Sequence, residues 1–232
     1  MKSPLALDPV LHFGPVPITA PVLVTWVILL VLGVGAAAAT RRLTLEPSKL
    51  QAVLETLVTA LDALILDTMR AKPGPYRALI GTIFVYVLVA NWSSLVPGIE
   101  PPTAHIETDA ALALIVFAAT LVYGIRTRGI LGYLKTFAEP SWVMIPLNII
   151  EQVTRTFSLV VRLFGNVMSG VFVVGIVLSL AGLLVPIPLM ALDLLTGAVQ
   201  AYIFAVLATV FIGAAIESPA PVPPTPQPRT LP

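Results

Sequence analysis

A permanent cation set in a long apolar run is the first place in this chain where residue type implies chemistry. Between Arg155 and Asp193 the one ionisable residue is Arg162, flanked by apolar and small side chains. A guanidinium at bilayer depth costs at least about 2.5–3.5 kcal/mol on insertion scales, and it cannot escape by losing its proton. Glu151, Arg155, Ser158, Arg162, Asn166 and Ser169 follow at spacings of four, three, four, four and three, so a helix carries them on one stripe. In a lipid-facing helix each of them would be an uncompensated desolvation, so the stripe must face protein, water or a partner's ionisable group. Asp193, Thr196, Gly197 and Gln200 make a shorter stripe at the same kind of spacing. Polar tracks of this kind conduct ions.

Each of these residues also has a plainer reading. Arg162 could snorkel or pair internally and merely orient helices. Asp193 could be a carboxylate at a helix N-terminus near Pro188, and Gln200 an ordinary interhelical hydrogen-bonding residue. Glu151 and Arg155, one turn apart, read either as a surface salt bridge or as the lining of a water-filled exit. His105, Glu107 and Asp109 read as solvated loop residues, or as an acidic mouth to which Asn91, Ser93 and Ser94 contribute.

The elements that must position these groups are membrane spans. A helix needs roughly 20 mostly apolar residues to cross about 30 Å of hydrocarbon, and hydropathy places helices at about 21–40, 78–96, 110–125, 147–185 and 189–216. Arg41 and Arg42 close the first. The polar, proline-broken stretch 97–109 makes a hairpin of the next two, and Arg126 and Arg128 close that hairpin before a loop holding Lys135, Glu139 and Pro140. Pro186 and Pro188 separate the last two. At about 1.5 Å per residue the 147–185 segment would be roughly 58 Å long and the final one roughly 42 Å. The first must tilt about 60° if unbroken, or bend at Gly165, Gly170 or Gly175, and the second must tilt about 45°. Two such helices, nearly lateral and packed on each other, suit contact with a broad partner surface inside the bilayer.

Between the first two spans, Leu50, Val53, Leu54, Leu57, Val58, Leu61, Leu64 and Ile65 recur at helical spacing opposite Gln51, Glu55, Thr59 and Asp62. This predicts an amphipathic helix over about 48–70, with Ser48 and Gln51 as a capping box after Pro47. Its charges lay it on the membrane rather than across it; packing against a soluble partner is the alternative. Basic residues gather near cytoplasmic membrane ends. If the segment after the first span is inside, that side holds Arg41, Arg42, Lys49, Arg70, Lys72, Arg77, Arg126, Arg128, Lys135 and Arg229, and the other only Lys2. The expected topology is an outside N-terminus and a cytoplasmic C-terminus.

The expected fold is therefore an all-α membrane protein: five membrane-embedded helices plus one interfacial amphipathic helix, the last two long and strongly tilted. Residues 1–217 form a single membrane domain and 218–232 a Pro-rich disordered tail. Composition agrees, since 57% of the 232 residues are hydrophobic, 11% are charged and the mean hydropathy is +0.97, against about 25% charged in soluble domains. Thirteen basic and twelve acidic residues leave a net charge of +1 with no basic block to track a phosphate backbone, so nucleic acid is not an expected partner. With no cysteine, and with His12 and His105 far apart outside the apolar runs, no metal or cofactor is expected. Met1 to Ala20 has no compact apolar run before a cleavage site, so the first apolar stretch is expected to be a true span.

The run Ser158-Leu-Val-Val-Arg162-Leu-Phe-Gly-Asn166, with Gly170 after it and Gln200-Ala-Tyr-Ile-Phe204 in the next helix, resembles subunit a of F-type ATP synthases. The detailed resemblance covers roughly residues 146–216, and the topology resembles the family over nearly the whole chain. It implies a non-catalytic stator subunit of the Fo sector, in contact with a ring of c subunits, with peripheral-stalk b subunits, with other Fo and F1 subunits and with membrane lipid, in a bacterial inner membrane. It further implies two offset half-channels against the ring. Arg162 would meet the ring carboxylate and block leak, with Asn166, Gln200 and Asp193 on the outer path and Glu151 and Ser158 on the inner one.

The chain departs from the family pattern at Val171, nine residues beyond the arginine, where many members carry an acid or histidine. Asp193, seven residues before Gln200, falls where members often place a second ionisable group, and so is expected to supply the inlet carboxylate alone. In this respect the chain is similar to an N-type branch of the family that includes sodium-translocating complexes. The rival from another class is a self-contained secondary ion transporter, which calls for internal repeats and paired broken helices; the sequence has neither. No HExxH, paired-aspartate or serine-histidine set lies in the spans to support a membrane hydrolase.

Overall fold

The computed structural model describes residues 9–13, 16–41, 49–96, 99–138, 142, 144–181 and 185–216. The expected capping residue Ser48, the residues Glu139 and Pro140, and the expected tail at 218–232 lie outside the described residues. Six α-helices carry the fold: α1 Ala20–Thr40, α2 Lys49–Met69, α3 Gly74–Trp92, α4 Ile106–Ala138, α5 Met144–Ala181 and α6 Pro186–Ile216. All but α2 are long and apolar enough to cross a membrane. The chain is thus nearly all helical, with five candidate spans. One small element was not anticipated: β1 Pro9–Phe13 pairs antiparallel with β2 Val16–Thr19 ahead of α1.

The last helix is the centre of the assembly. Helix α6 packs against α2, α3, α4 and α5, and its buried positions Gly197, Ala201, Ala205, Ala208 and Gly213 are small. Small residues let backbones approach closely, which is what drives helix association where lipid removes the usual hydrophobic incentive. Larger side chains interleave with them: Phe204 and Ile212 from α6, Leu159, Leu163 and Val167 from α5, and Ile83 and Val87 from α3. Helix α1 is the least engaged, with only Pro21 and Ile28 buried, so most of its surface is left for lipid or a partner.

Helix α5 has 38 residues and runs continuously through Gly165, Gly170 and Gly175. Unbroken, it is about 57 Å long, and the 31 residues of α6 make about 47 Å. Both exceed the hydrocarbon thickness, so continuity favours tilting over bending as the way to stay within the bilayer.

Helix α4 differs most from its expected limits. It begins at Ile106 and passes Arg126 and Arg128, and Lys135 is helical too. The break comes at Gly129, whose φ of 73° and ψ of 164° lie where side chains other than hydrogen are excluded. Beyond it the chain turns so that the Tyr133 ring lies on the backbone of Gly124, within 2.5 Å of where a side chain there would begin. Helix α2 is divided. Leu61 and Ile65 are buried against α3 and α6, whereas Leu50 and Val53 stay exposed. Arg77 at the start of α3 makes a forked ion pair with Asp62, tying the polar side of α2 to the bundle.

Candidate functional site

Helix α5 presents its polar stripe to several cavities along its length. One, of about 560 Å³, is lined by Glu151, Arg155, Ser158 and Arg162 together with Leu207 and Phe211 of α6. Helical spacing brings these four polar residues to one wall, and Glu151 and Arg155 are ion-paired there. The Arg155 guanidinium also lies 5.6 Å from the centre of the Phe211 ring, within cation–π range. Arg162 is exposed and has no hydrogen bond or ion pair among the described residues. Among those residues it is therefore not internally paired. Its charge is presented to whatever covers this face.

One turn further on, Asn166 Nδ2 donates to Gln200 Oε1 at 2.7 Å. Gln200 is almost fully buried, so this bond satisfies an amide that lipid could not. A small cleft beside it gathers Asn91, Asn166, Asp193, Thr196, Gly197 and Gln200. Asp193 also borders a third cavity of about 160 Å³, with Ser94, Glu100, Val171 and Gly175 in its wall. The aspartate lies two turns inside α6, which starts at Pro186, and not at the helix N-terminus. A capping role is excluded by that position.

The C-terminal end of α3 and the turn that follows it fix this turn of α6 by three contacts. Asn91 Nδ2 donates to the Gly197 carbonyl at 3.0 Å, and Trp92 Nε1 to the Leu194 carbonyl at 3.1 Å. Ser94 Oγ lies 3.3 Å from Asp193 Oδ2 and 3.0 Å from the Asn91 carbonyl, with one proton to share between them. Asn91 is itself oriented by Thr103, whose hydroxyl donates to its Oδ1 at 2.7 Å. On the facing side, a Cβ at Gly170 would stand 3.0 Å from Asp193 Cγ and nearer still to Oδ1. With the carboxylate in this position, only a bare backbone leaves room for it.

All six residues predicted from sequence thus fall into two groups. Glu151, Ser158 and Arg162 share the larger cavity; Asn166, Asp193 and Gln200 share the small cleft. Thr103, Trp92 and Glu100 were missed. They act through a loop and a helix end, where no periodicity marks them. Of the residues read as solvated loop, Glu107 is exposed but Asp109 is fully buried in the first turn of α4, with neither carboxylate oxygen hydrogen-bonded among the described residues. The reason is that α4 starts earlier than hydropathy suggests and packs this turn into the bundle. Among the described residues no three acidic or histidine side chains gather so as to hold a metal ion.

Comparison with known proteins decides the family. The family model described as ATP synthase A chain matches residues 22–213. The chain belongs to the ATP synthase A chain family. It is 55% identical over 219 residues to ATP synthase subunit a 2 of Bradyrhizobium sp. strain BTAi1, covering 94% of this chain and 98% of that one. ATP synthase subunit a of Albidiferax ferrireducens is 44% identical over 212 residues, covering 90% and 92%. A third relative, ATP synthase subunit a 1 of Prosthecochloris aestuarii, is 44% identical over 209 residues, covering 89% and 94%. As a family member the chain is an integral membrane component of the ion-translocating Fo sector and a partner of other ATP synthase subunits.

Proposed function

We propose that this member of the ATP synthase A chain family forms two offset half-channels against a ring of c subunits, with Arg162 between them. The observation that carries the reading is the exposed guanidinium of Arg162, unpaired among the described residues, which lines the larger cavity and lies one helical turn from the cleft that holds Asn166. The chain itself conducts the ion and catalyses no bond change. The outer path runs by Asp193 to Asn166 and Gln200, and the inner path leaves by Ser158 and Glu151. In this arrangement the N-terminus is outside, the C-terminus is cytoplasmic, and the complex sits in a bacterial inner membrane.

A protonated or cation-occupied carboxylate on a ring subunit can turn through lipid, whereas a bare carboxylate is costly there. A fixed guanidinium stabilises the ionised state and so favours release of the cation as each ring carboxylate arrives. Because it does not deprotonate, it also interrupts any continuous path between the two cavities. The membrane potential supplies about 2.3 kcal/mol per elementary charge per 100 mV, which the offset of the two paths converts into rotation. The length of α5 and α6, laid obliquely, gives the broad contact that a curved ring surface needs. Peripheral-stalk b subunits and lipid are assigned to the faces left open by α1.

The test is ATP-driven ion pumping by the assembled complex in inverted vesicles. Arg162→Ala is expected to abolish pumping, and full pumping by that variant would refute the mechanism.

A further inference from the structure

The cavity of about 160 Å³ beyond Asp193 holds a second carboxylate that no sequence pattern pointed to. Its polar wall is Ser94, Glu100 and Asp193, and the remainder is apolar, with Val171, Gly175 and Met190 among the lining residues. The two acids sit differently. The Glu100 side chain is 76% exposed, whereas Asp193 is half-buried and borders the inner cleft with Asn166 and Gln200 as well. Asp193 thus belongs both to the cavity that reaches exposed Glu100 and to the cleft of the amide pair, one turn from Arg162.

Glu100 is held at this rim by the three residues next to it in the chain. Pro101, Pro102 and Thr103 are buried, and the Thr103 hydroxyl is bonded to Asn91, the residue that also grips the α6 backbone at Gly197. The loop is thus pinned to the same turn of α6 that carries Asp193. His105 Nε2 lies 3.5 Å from Glu100 Oε2 on the side of α4.

We infer that Glu100 is an ion-collecting carboxylate at the outer entrance, acting in series with Asp193; the inference rests on the proposed outer path. The ligand is a monovalent cation, hydronium or sodium. A carboxylate at the mouth of a narrow apolar-walled cavity focuses the field and raises the local cation concentration. For a proton, the Glu100 carboxylate takes it from external hydronium, leaving water, and gives it up through cavity water to the Asp193 carboxylate, so that Glu100 returns to its anionic form. For sodium, no bond is made or broken and the ion passes between the two carboxylates with part of its hydration.

The experiment uses the complete ATP synthase in liposomes, with synthesis from added ADP driven by an imposed potential while the pH and the sodium concentration of the lumen, which the outer face then borders, are varied separately. Glu100→Gln is expected to raise the half-saturating lumenal concentration of the transported cation by about threefold to tenfold, with the saturating rate retained, and to lose its effect at high ionic strength. Glu100→Asp, which keeps the charge, should stay close to wild type. Val171→Glu in the Glu100→Gln chain returns a carboxylate to the same cavity and should restore the low half-saturation. The pH arm and the sodium arm tell which cation is collected. An unchanged half-saturation in Glu100→Gln overturns the inference, as does an equal shift in Glu100→Asp, which would assign the effect to loop packing, or the same shift produced by His105→Gln alone. Normal pumping by Arg162→Ala would instead refute the underlying path, so the two failures are distinguishable.

Discussion

Replacing Gly170 with alanine tests the closest approach in the proposed outer path. A Cβ at this position would lie 3.0 Å from Asp193 Cγ and nearer still to Oδ1. Non-bonded carbon and oxygen atoms do not come so near, so either the carboxylate retreats by about 1 Å or α5 backs away from α6. Neither is free. Leu163 and Val167 are buried in the same packed cluster as Phe204 and Ala201, which resists separation of the helices. Inserting a methyl group into a close-packed contact costs typically about 1–3 kcal/mol. The expected result is that Gly170→Ala destabilises the purified complex by that amount in denaturant unfolding and slows ion uptake from the outer face. A double-mutant cycle isolates the cause. In an Asp193→Ala background the obstructing oxygens are gone, so Gly170→Ala should then cost little, leaving a coupling energy of about 1–3 kcal/mol between the two positions. If Gly170→Ala costs as much with Asp193 removed as with it present, the contact with the carboxylate is not what fixes the glycine, and the steric explanation is refuted.

Two other consequences are open to measurement. Asp193→Asn should strongly slow uptake from the outer face while leaving assembly with the ring intact, and an unaltered synthesis rate would remove Asp193 from the path. Asn166→Ala and Gln200→Ala should prove non-additive in unfolding, with a coupling of about 0.6 kcal/mol and at most about 1.7 kcal/mol, as for interhelical hydrogen bonds in membranes; strict additivity would mean that the 2.7 Å contact contributes nothing.

Much of the site was legible because helical periodicity is a local property. Glu151, Ser158, Arg162 and Asn166 share a stripe whatever the rest of the chain does, and an arginine in hydrocarbon calls for a partner. The same logic failed at the ends of elements. Hydropathy closes the fourth helix at Arg126 and Arg128, yet long basic side chains can lie along a continuing helix, and the true break is set by the backbone of Gly129. Asp109 reads as a loop residue because charge argues for solvent, but the first turn of α4 is carried into the bundle and the carboxylate is buried with it. Asn91 and Ser94 were visible as polar residues near a mouth. Their partners, the Gly197 carbonyl and the Asp193 carboxylate, depend on a contact between chain positions about a hundred residues apart.

The sequence by itself determined that this is a membrane protein with five apolar helices, which side of the last two is polar, and that a fixed cation sits where charge is expensive. Hydropathy, helical spacing and the cost of desolvation suffice for these, since each acts residue by residue along one chain segment. Tertiary structure decided which polar residues meet. It divided the α5 stripe among separate cavities, set Asp193 against the bare backbone of Gly170, and brought Glu100 from a loop to the same cavity as Asp193 and Val171. Those pairings come from how closely small residues allow α6 to approach its neighbours, and close approach between distant segments leaves no mark in the periodicity of either one.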